Sequence, residues 1–488
     1  MTLAPARRAT MPDVNAHREP PSPGHWLYPT QLDTPIDLAG RRLYFIGIGG
    51  SGMSGLARLC ASLGAACAGS DQSESATTQA AREAGVAVTL DQSGQAMPDG
   101  LDAVVASAAI RPDHPEAVEA ERRGVPVLKY AQMLGRLMVG RSGVAIAGTH
   151  GKSSTTAMLA HVLLHAGRDP SFILGARCEQ IGGSARVGHD GTLIAEACEF
   201  DRSFHSLRPT VATVLNVEAD HLDYYADLDE IVAAFGAFAA SLPDDGRLLI
   251  EHACPHRQSI ADATSADVET VGFDPRADYR VVIDGRLAHV DRRDGERLCS
   301  FERPLPGDHM AYNAAVAAVI AHGLGVAWDA VGPALSAFRG LDRRMQTLGE
   351  HDGVTVVDDY AHHPTEIAAT LHALRDHHRP GRLICVFQPH QHSRTRHLLD
   401  GFAASFADAD AVLVPDIFAV RDADTDRQHV SSQDLVGRLT AEGVDARHVA
   451  DSDLLAALEG MAQPGDLLVT MGAGDIGGVG ASFVSGRA

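Results

Sequence analysis

The strongest constraint on this chain is a local unit that recurs along it: a short apolar strand, a glycine-rich turn and a helix. The first copy joins RRLYFIGIG, from Arg41, to the helix MSGLARLCASLGA. A second copy joins GVAIAG (143–148) to a helix over 153–166. Apolar strands that alternate with helices form parallel sheets covered on both faces. The pattern therefore predicts an α/β protein.

The units fall into three blocks, in line with about 150 residues per domain. We predict a Rossmann-like N-terminal domain over 39–140, a central P-loop-type ATPase domain with a parallel sheet over 141–338, and a Rossmann-like C-terminal domain over 339–488. Residues 1–38 are rich in proline, which breaks helices and strands, and are predicted to form a flexible N-terminal extension. Residues 268–303 alternate in short segments that could form a small antiparallel insert.

The overall charge excludes some classes of partner. With 41 basic and 63 acidic residues, the net charge is 41 − 63 = −22, which argues against a general affinity for nucleic acid or anionic membranes. The seven cysteines form no C-x-x-C pair, which fits a reducing compartment. The sequence has neither a signal peptide nor an apolar run of the ~20 residues that a membrane crossing needs. We therefore expect a cytoplasmic protein with no nucleic-acid partner and no membrane insertion.

The first glycine-rich turn matches a phosphate-binding pattern. Gly47, Gly49 and Gly52 form G-x-G-x-x-G between a predicted strand and a predicted helix. Asp71 follows 71 − 52 = 19 residues later, where an acidic side chain can bind ribose hydroxyls. Three interpretations are open: a nicotinamide or flavin nucleotide, another nucleotide diphosphate such as a UDP-sugar, or a tight turn without a ligand.

The second glycine-rich turn, GTHGKSSTT (148–156), resembles a phosphate loop but departs from the Walker A spacing. That spacing places the leading glycine at position 146, which is Ile146. In a phosphate loop Lys152 would contact the β- and γ-phosphates, and Ser153 would bind Mg²⁺ through its hydroxyl. The alternative is an ordinary turn that contains a lysine.

Two further predicted strands bring polar side chains to the same edge of the sheet. TLIAEA (192–197) delivers Glu196, and TVATVLNV (210–217) is followed by Asp220 and His221. A carboxylate and an imidazole at this edge could hold a second hard cation beside the phosphate loop. The alternative is that Glu196 and Glu199 are loop carboxylates and His221 is a surface histidine.

At this point the residues resemble the Mur ligase family, from about Arg41 to Phe483. The family's ATP loop reads GT-x-GK-[ST]-[ST], which makes Gly148 the leading glycine of a loop two residues shorter than Walker A. Seven motifs occur in the family's order: GIGGSGMSGLA (47–57), GTHGKSSTT (148–156), EACEFDRSF (196–204), NVEADHLDYY (216–225), DDYAHHPTE (358–366), FQPHQHSRT (387–395) and GDLLVTMGAGDI (465–476).

The resemblance implies an ATP-dependent, ADP-forming carboxylate–amine ligase of peptidoglycan synthesis. ATP and Mg²⁺ are the implied cofactors. ATP would phosphorylate the lactyl carboxylate of UDP-N-acetylmuramate, and the amine of L-alanine would attack the acyl phosphate. Closure of the third domain over the second would keep water out. The alternatives are a sibling ligase that recycles murein peptide, a nicotinamide-dependent oxidoreductase and a non-catalytic nucleotide-binding scaffold. Whether the chain is a monomer or a dimer stays open.

The resemblance also implies a role for individual residues. The ATP site would contain Gly148, Thr149, His150, Gly151, Lys152, Ser153, Ser154, Asn313, Arg344 and Asp359. The UDP-sugar site would contain Gly49, Gly50, Ser51, Gly52 and Asp71. The amino acid would contact Tyr360, His362, His390 and Arg394, and the metal would contact Ser153, Glu196 and His221. The catalytic residues would be Lys152, Glu196, His221 and Arg394.

The sequence departs from the family pattern at two positions. Met310 stands where the family commonly has an adenine-facing asparagine, so Asn313 would carry more of adenine recognition. Gln391 stands where the family has arginine, which leaves strictness for L-alanine open. Residues 220–242 contain no lysine, and the alanine-adding branch likewise lacks the carbamylated lysine of other Mur ligases. The pairs His362–His363 and His390-x-His392 have no cysteine or carboxylate partner at matching spacing, so no zinc site is expected from them.

Overall fold

The architecture comes from a computed structural model that describes residues 35–419, 422 and 427–486. Most of the predicted extension, 1–38, lies outside these residues. Leu38, within it, is already 2% exposed and packs in the first apolar core.

The first block is a five-stranded parallel sheet in the order β3-β2-β1-β4-β5, the order of the first five strands of a Rossmann fold. Its strands are β1 (Arg42–Ile46), β2 (Ala66–Ser70), β3 (Ala87–Thr89), β4 (Ala103–Ala106) and β5 (Val127–Lys129). Its helices are α1 (Ser51–Ser62), α2 (Ala76–Glu83), α3 (Pro115–Arg122) and α4 (Tyr130–Met138).

The central block is a ten-stranded sheet in the order β15-β14-β13-β12-β11-β10-β6-β9-β7-β8. Its strands are β6 (Ser142–Ala147), β7 (Ser171–Cys178), β8 (Gly183–Arg186), β9 (Thr192–Ala197), β10 (Val211–Val214), β11 (Arg247–Glu251), β12 (Asp267–Gly272), β13 (Tyr279–Asp284), β14 (Leu287–Arg292) and β15 (Arg297–Glu302). Its helices are α5 (Lys152–His165), α6 (Leu228–Ala239), α7 (Arg257–Ala261), α8 (Asp308–Gly323) and α9 (Trp328–Ser336), with 3₁₀ turns at Glu179–Ile181 and Phe200–Ser206.

The antiparallel segment expected over 268–303 is not a separate insert. Strands β13, β14 and β15 pair antiparallel with one another, but β13 also pairs in parallel with β12 and so extends the central sheet. The parallel part, β12-β11-β10-β6-β9-β7, carries the predicted strand ends.

Two helices beneath the phosphate loop are buried around almost their whole circumference. In α5 all residues from Ser153 to Leu163 are buried, and in α8 all residues from Met310 to Ala321 are buried. A helix that is buried on all sides lies in a protein interior and not at its surface. The two helices pack against each other in the main apolar core and fix the loop that precedes α5.

The third block is a six-stranded sheet in the order β16-β17-β21-β18-β19-β20, parallel except for the edge strand β16. Its strands are β16 (Gln346–His351), β17 (Val354–Asp359), β18 (Leu383–Phe387), β19 (Ala411–Val414), β20 (Ala446–His448) and β21 (Leu467–Met471). Its helices are α10 (Pro364–His378), α11 (His392–His397), α12 (Leu399–Ala404), α13 (Ser432–Ala441), α14 (Leu454–Met461) and α15 (Gly477–Ser485), with a 3₁₀ turn at Asp451–Asp453.

The predicted fold class is confirmed: the chain forms three α/β sheets in succession. The predicted divisions at 140/141 and 338/339 fall between the sheets, and as domain boundaries they stay predictions. Within the described residues, no helix has both the length and the apolar character that a membrane crossing requires.

Candidate active site

The phosphate loop between β6 and α5 has a backbone that only glycine adopts easily. Gly148 has φ +139°, and a Cβ there would lie 2.8 Å from the Cβ of Leu215. Gly151 caps α5 with φ +85°. The side chain of Asn216 holds the loop, because its Oδ1 accepts from the His150 N–H at 2.7 Å and its Nδ2 donates to the His150 carbonyl at 3.1 Å. The two glycines and the Asn216 side chain therefore fix the backbone of the short loop, and phosphate binding by it stays a prediction.

Lys152, at the start of α5, points back over this loop. Its Nζ donates to the carbonyls of Gly148 at 2.6 Å and Thr149 at 3.0 Å, and to Glu199 Oε2 at 2.9 Å. Burial alone would lower the pKa of Lys152, but the Glu199 carboxylate outweighs it and raises that pKa. The lysine is therefore a fixed positive charge at the N-terminus of α5.

Glu199 is a site residue to which the sequence prediction assigns no role. It lies just beyond β9, and its side chain is 4% exposed. Its Oε1 lies 3.8 Å from Nε2 of His221, a distance that one bridging cation could span. His221 itself has φ +54°, and the ring of Phe200 lies 5.1 Å from its imidazole. The carboxylate that joins Lys152 and His221 is thus Glu199.

Glu196, the carboxylate chosen from the sequence, lies near the end of β9 and contacts a different part of the molecule. Its Oε1 accepts from the Gly175 N–H on β7 at 2.6 Å, and the Gly175 carbonyl accepts from the Ser51 hydroxyl at 3.3 Å. Burial, and then the nearby Glu196, raise the pKa of Tyr130. Glu196 therefore lies where the first glycine loop meets the central sheet, and its role as a metal ligand stays a prediction.

The first glycine loop binds Asp71 directly. The Gly49 N–H donates to Asp71 Oδ2 at 2.7 Å, and Thr77 donates to the Gly49 carbonyl. Gly50 caps α1, which starts at Ser51. Asp71 thus holds the loop itself, and contact with the uridine nucleotide stays a prediction for it.

The predicted amino-acid residues converge across the boundary between the second and third sheets. Arg394 is 8% exposed, and its Nε and Nη2 each donate to Asp220 Oδ1 at 3.1 Å. Its Nη1 lies 3.2 Å from Nδ1 of His390. Burial alone would raise the pKa of Asp220, but the Arg394 charge outweighs it and lowers that pKa. Arg394 therefore already binds one carboxylate in this arrangement.

His362 and Tyr360 lie beside this ion pair. His362 Nδ1 lies 3.0 Å from the Tyr360 carbonyl, and the rings of His362 and His390 are 6.3 Å apart. Burial lowers the pKa of His362 to about 4, so its imidazole is neutral at pH 7. The four predicted residues Tyr360, His362, His390 and Arg394 thus form one cluster, although their contact with an amino acid stays a prediction.

Arg343 and Arg344, which lie between the second and third sheets, make different contacts. Arg343 donates to Asp358 and to the carbonyls of Gly472 and Gly474, so it holds the third block together. The guanidinium of Arg344 lies 5.0 Å from the ring centroid of Tyr360, and no side-chain hydrogen bond of Arg344 occurs in the described part of the chain. Arg344 is thus the one of the two whose guanidinium is left without a hydrogen bond among the described residues, and its contact with a phosphate stays a prediction.

Two predicted ATP residues make mainly internal contacts. The carboxylate of Asp359 accepts from the N–H groups of Met345 at 2.7 Å and Ala361 at 2.8 Å, and burial raises its pKa to about 6. Asn313 is 4% exposed and lies under the phosphate loop, where a Cβ on Gly151 would be 2.7 Å from its Oδ1. Their proposed contacts with the nucleotide stay predictions.

Comparison with known proteins identifies all three blocks. The Mur ligase family, catalytic domain, matches residues 42–142; the Mur ligase middle domain matches 146–321; the Mur ligase, glutamate ligase domain, matches 343–474. The chain is 38% identical to the UDP-N-acetylmuramate–L-alanine ligase of Clostridium novyi over 92% of its own length and 98% of that protein. It is 41% identical to the ligase of the same name from Sorangium cellulosum over 89% of its own length and 94% of that protein.

A solved structure gives the same result. The UDP-N-acetylmuramate–alanine ligase of Thermotoga maritima superimposes with a TM-score of 0.74 at 26% identity, over 91% of this chain and 98% of that one. The comparisons do not favour a nicotinamide-dependent oxidoreductase or a peptide-recycling ligase. The phosphate loop, the ordered motifs and these matches agree, and the chain belongs to the Mur ligase family.

Proposed function

We propose that this protein is an ATP-dependent ligase that joins L-alanine to the lactyl carboxylate of UDP-N-acetylmuramate and releases ADP and phosphate. The observation that carries this proposal is the 38–41% identity, over about nine-tenths of the chain, to ligases named for this reaction. The product would enter peptidoglycan synthesis.

The phosphate loop would position ATP for transfer. Phosphoryl transfer needs in-line positioning and charge neutralisation more than covalent assistance. The charged Lys152 and the N–H groups at the start of α5 supply positive charge on one side of the γ-phosphate. Arg344, whose guanidinium makes no hydrogen bond in the described residues, would supply it from the third block.

The donors around Lys152 fit a Mg²⁺ ion. A hydroxyl from Ser153, a carboxylate from Glu199 and an imidazole from His221 are oxygen and nitrogen donors of the kind that hold divalent cations in phosphoryl-transfer sites. Glu196 stays a second candidate carboxylate. Bound Mg²⁺ would neutralise charge that builds up on the phosphates.

The cluster around Arg394 would bind the incoming amino acid. Guanidinium has five N–H donors, and three point to Asp220 and His390, so two remain for a substrate carboxylate. The neutral His362 adds no second charge. The substrate amine would attack the acyl phosphate between the second and third blocks, where closure of the two blocks excludes water.

We also propose a cytoplasmic location, since the reaction uses ATP. Cysteine chemistry supports this: all seven cysteines are free thiols, six of them buried, as in proteins of reducing compartments.

The direct test is a phosphate-release assay on the purified chain. Release should require ATP, UDP-N-acetylmuramate and L-alanine together. Turnover with the murein tripeptide in place of L-alanine would instead assign the peptide-recycling reaction to this protein. Phosphate release with no amino-acid dependence would contradict the proposal.

The phosphate-loop assignment has a matched control because the chain contains only two lysines, Lys129 and Lys152. Lys152→Ala should lower kcat by at least about 10³-fold, since it removes a charge held at the transferring phosphate. Lys129, whose side chain is 61% exposed and pairs with Asp201, should tolerate alanine with less than about a twofold change. Near-normal turnover by Lys152→Ala would contradict the assignment.

A further inference from the structure

Three side chains from different parts of the chain form a cluster of metal-ligand type beside the phosphate loop. His150 comes from the loop itself, Glu218 follows β10, and His363 caps the start of α10. One potential ligand atom from each lies within 4.8 Å of the others. Nε2 of His150 is 3.6 Å, and Nδ1 of His363 is 3.7 Å, from Oε2 of Glu218.

In each histidine, one ring nitrogen contacts a residue outside the cluster. The other ring nitrogen faces Glu218 and is the candidate ligand atom; it is called the inward nitrogen below. His150 Nδ1 lies 3.0 Å from Oε1 of Glu366, and His363 Nε2 lies 3.2 Å from the Ala219 carbonyl. A carboxylate or carbonyl that accepts from one ring nitrogen keeps that nitrogen protonated, so the other nitrogen is the one that can give up its proton and bind a metal. Histidines that bind metals usually have this arrangement.

The inward nitrogen of His150 lacks any other partner. Nε2 of His150 is fully buried and makes no hydrogen bond. Buried polar atoms are nearly always satisfied, so an exception calls for a specific occupant. Nδ1 of His363 accepts only a long contact of 3.3 Å from the Thr365 N–H. The Thr365 hydroxyl donates to Oε2 of Glu218 at 2.5 Å and so holds the carboxylate in place.

We propose that His150, Glu218 and His363 form a transition-metal site, suited to Zn²⁺, that is distinct from the magnesium site at Ser153, Glu199 and His221. Two imidazoles and one carboxylate are a common zinc set, with a fourth position left for water. Tetrahedral zinc with bonds of about 2.0–2.2 Å places its ligand atoms ~3.3–3.5 Å apart, so the cluster has to contract by only a few tenths of an ångström along its two short edges.

The site has a consequence for domain motion. His150 belongs to the phosphate loop, whereas His363 begins α10 of the third block, so one ion would join the two. A metal bound by both would hold the blocks in the closed arrangement. Zn²⁺ would then slow turnover by slowing product release, at a place where Mg²⁺, which prefers oxygen ligands, does not compete.

The test uses Co²⁺ as a spectroscopic substitute for Zn²⁺ on the full-length chain in excess Mg²⁺. We expect one equivalent of Co²⁺ to give the visible absorption of a four- or five-coordinate nitrogen and oxygen site, and Zn²⁺ to displace it. His363→Gln and Glu218→Gln should each weaken binding by at least about tenfold. His372→Gln is the matched control, because His372 lies on the same helix α10, is exposed and pairs with Asp408.

The outcomes separate this site from its competitors. Absorption that survives in both His363→Gln and Glu218→Gln, but is lost in His221→Ala, would place the metal at the magnesium site and overturn the proposal. A thiolate charge-transfer band would assign the metal to the exposed Cys198 and likewise overturn it. The absence of a cobalt spectrum in the wild-type chain would also overturn it, and would mean that a proton occupies His150 Nε2 instead. Thermal unfolding of each variant shows whether it is folded.

Discussion

At the scale of single residues, the site depends on which carboxylate faces the phosphates. Glu199 contacts Lys152 at 2.9 Å and lies 3.8 Å from His221, whereas Glu196 binds the Gly175 N–H at 2.6 Å. The first position is next to the transferring phosphate in the proposed mechanism. The second is next to the loop proposed for the UDP-sugar. We therefore predict that each carboxylate serves a different substrate.

The pair Glu199→Gln and Glu196→Gln tests this assignment. Glu199→Gln should lower kcat by about 10²-fold or more and weaken Mg²⁺ dependence, since it removes the charge beside Lys152. Glu196→Gln should mainly raise the KM for UDP-N-acetylmuramate. Steady-state kinetics with Mg²⁺ varied distinguish the two, and the reverse pattern would restore Glu196 as the metal ligand.

A second residue-scale prediction concerns pH. Burial alone would lower the pKa of His150, but the carboxylates of Glu366 and Glu218 outweigh it and raise that pKa to about 9. A raised pKa stabilises the folded state fully below the unfolded value of about 6.5, and the stabilisation is lost as pH rises through about 9. In the presence of a chelator, the unfolding midpoint of wild type should therefore fall relative to that of His150→Gln between pH 7 and 10. Parallel curves for the two proteins would contradict the shifted pKa.

At the scale of elements, we expect the turn between β6 and α5 to determine whether ATP is bound. Gly151 has φ +85°, and a Cβ there would lie 2.7 Å from Asn313 Oδ1, so any side chain distorts the loop. Such a distortion moves several N–H donors at once. A substitution that distorts the turn should therefore weaken phosphate binding more than the loss of any one N–H donor would.

Gly151→Ala should raise the Kd for ATP by at least about tenfold, measured by calorimetry. Gly437→Ala is the matched control, because Gly437 is exposed in α13 and a Cβ there would have nothing within 4 Å. That control should keep ATP affinity and gain about 0.5–1 kcal/mol in stability, as a glycine-to-alanine change in a helix does. Equal ATP affinity in both variants would show that the loop does not bind phosphate.

The elements also show how far the sequence can predict the site. The positions of Glu196 and of the loop at Gly148 follow from apolar runs and glycine spacing, and β9 has the predicted bounds, Thr192–Ala197. The strand predicted over 210–217 is shorter, Val211–Val214, so His221 lies in the loop that follows it and not at a strand end. Glu199 receives no role from the sequence because its position depends on the path of the chain after β9, and no local pattern encodes that path. The edge strand β16 escapes prediction for a related reason: its half-buried residues alternate weakly.

Backbone strain explains part of what the sequence could not predict. Eight non-glycine residues in the described part have positive φ, and most lie in segments that carry site residues: Asp201, Arg202, His221, Arg343, Met345 and Gln391. Such conformations persist where surrounding contacts impose them, often at functional sites. Propensities favour other conformations at these positions, so sequence reasoning could not anticipate them.

At the scale of the whole molecule, a buried ion pair joins the second and third blocks. Asp220 and Arg394 are 174 positions apart, and both are less than 10% exposed. No local pattern predicts a contact over such a separation. The pair holds Arg394 at the boundary between the blocks, where the proposed amino-acid site lies.

Asp220→Asn should destabilise the closed arrangement by about 3–5 kcal/mol, because it leaves a buried guanidinium without a counter-charge. We expect amide hydrogen exchange in α11 to become at least about tenfold faster. Asp342→Asn is the control, since it removes the charge of the partly exposed pair with Arg177, which is worth ~0–1 kcal/mol, while the amide oxygen can still accept from Gln346 Nε2. Equal exchange in both variants would show that the buried pair does not hold the blocks together.

The central claim is that the carboxylate of the sugar acid is activated by phosphorylation, and oxygen transfer measures this most directly. UDP-N-acetylmuramate labelled with ¹⁸O in both lactyl carboxylate oxygens is incubated with ATP, L-alanine and the enzyme, and the released phosphate is analysed by mass spectrometry. An acyl phosphate keeps one carboxylate oxygen on phosphorus when the amine displaces phosphate, so each phosphate should carry one ¹⁸O. Phosphate that carries no label, formed together with the amide product, would contradict the account.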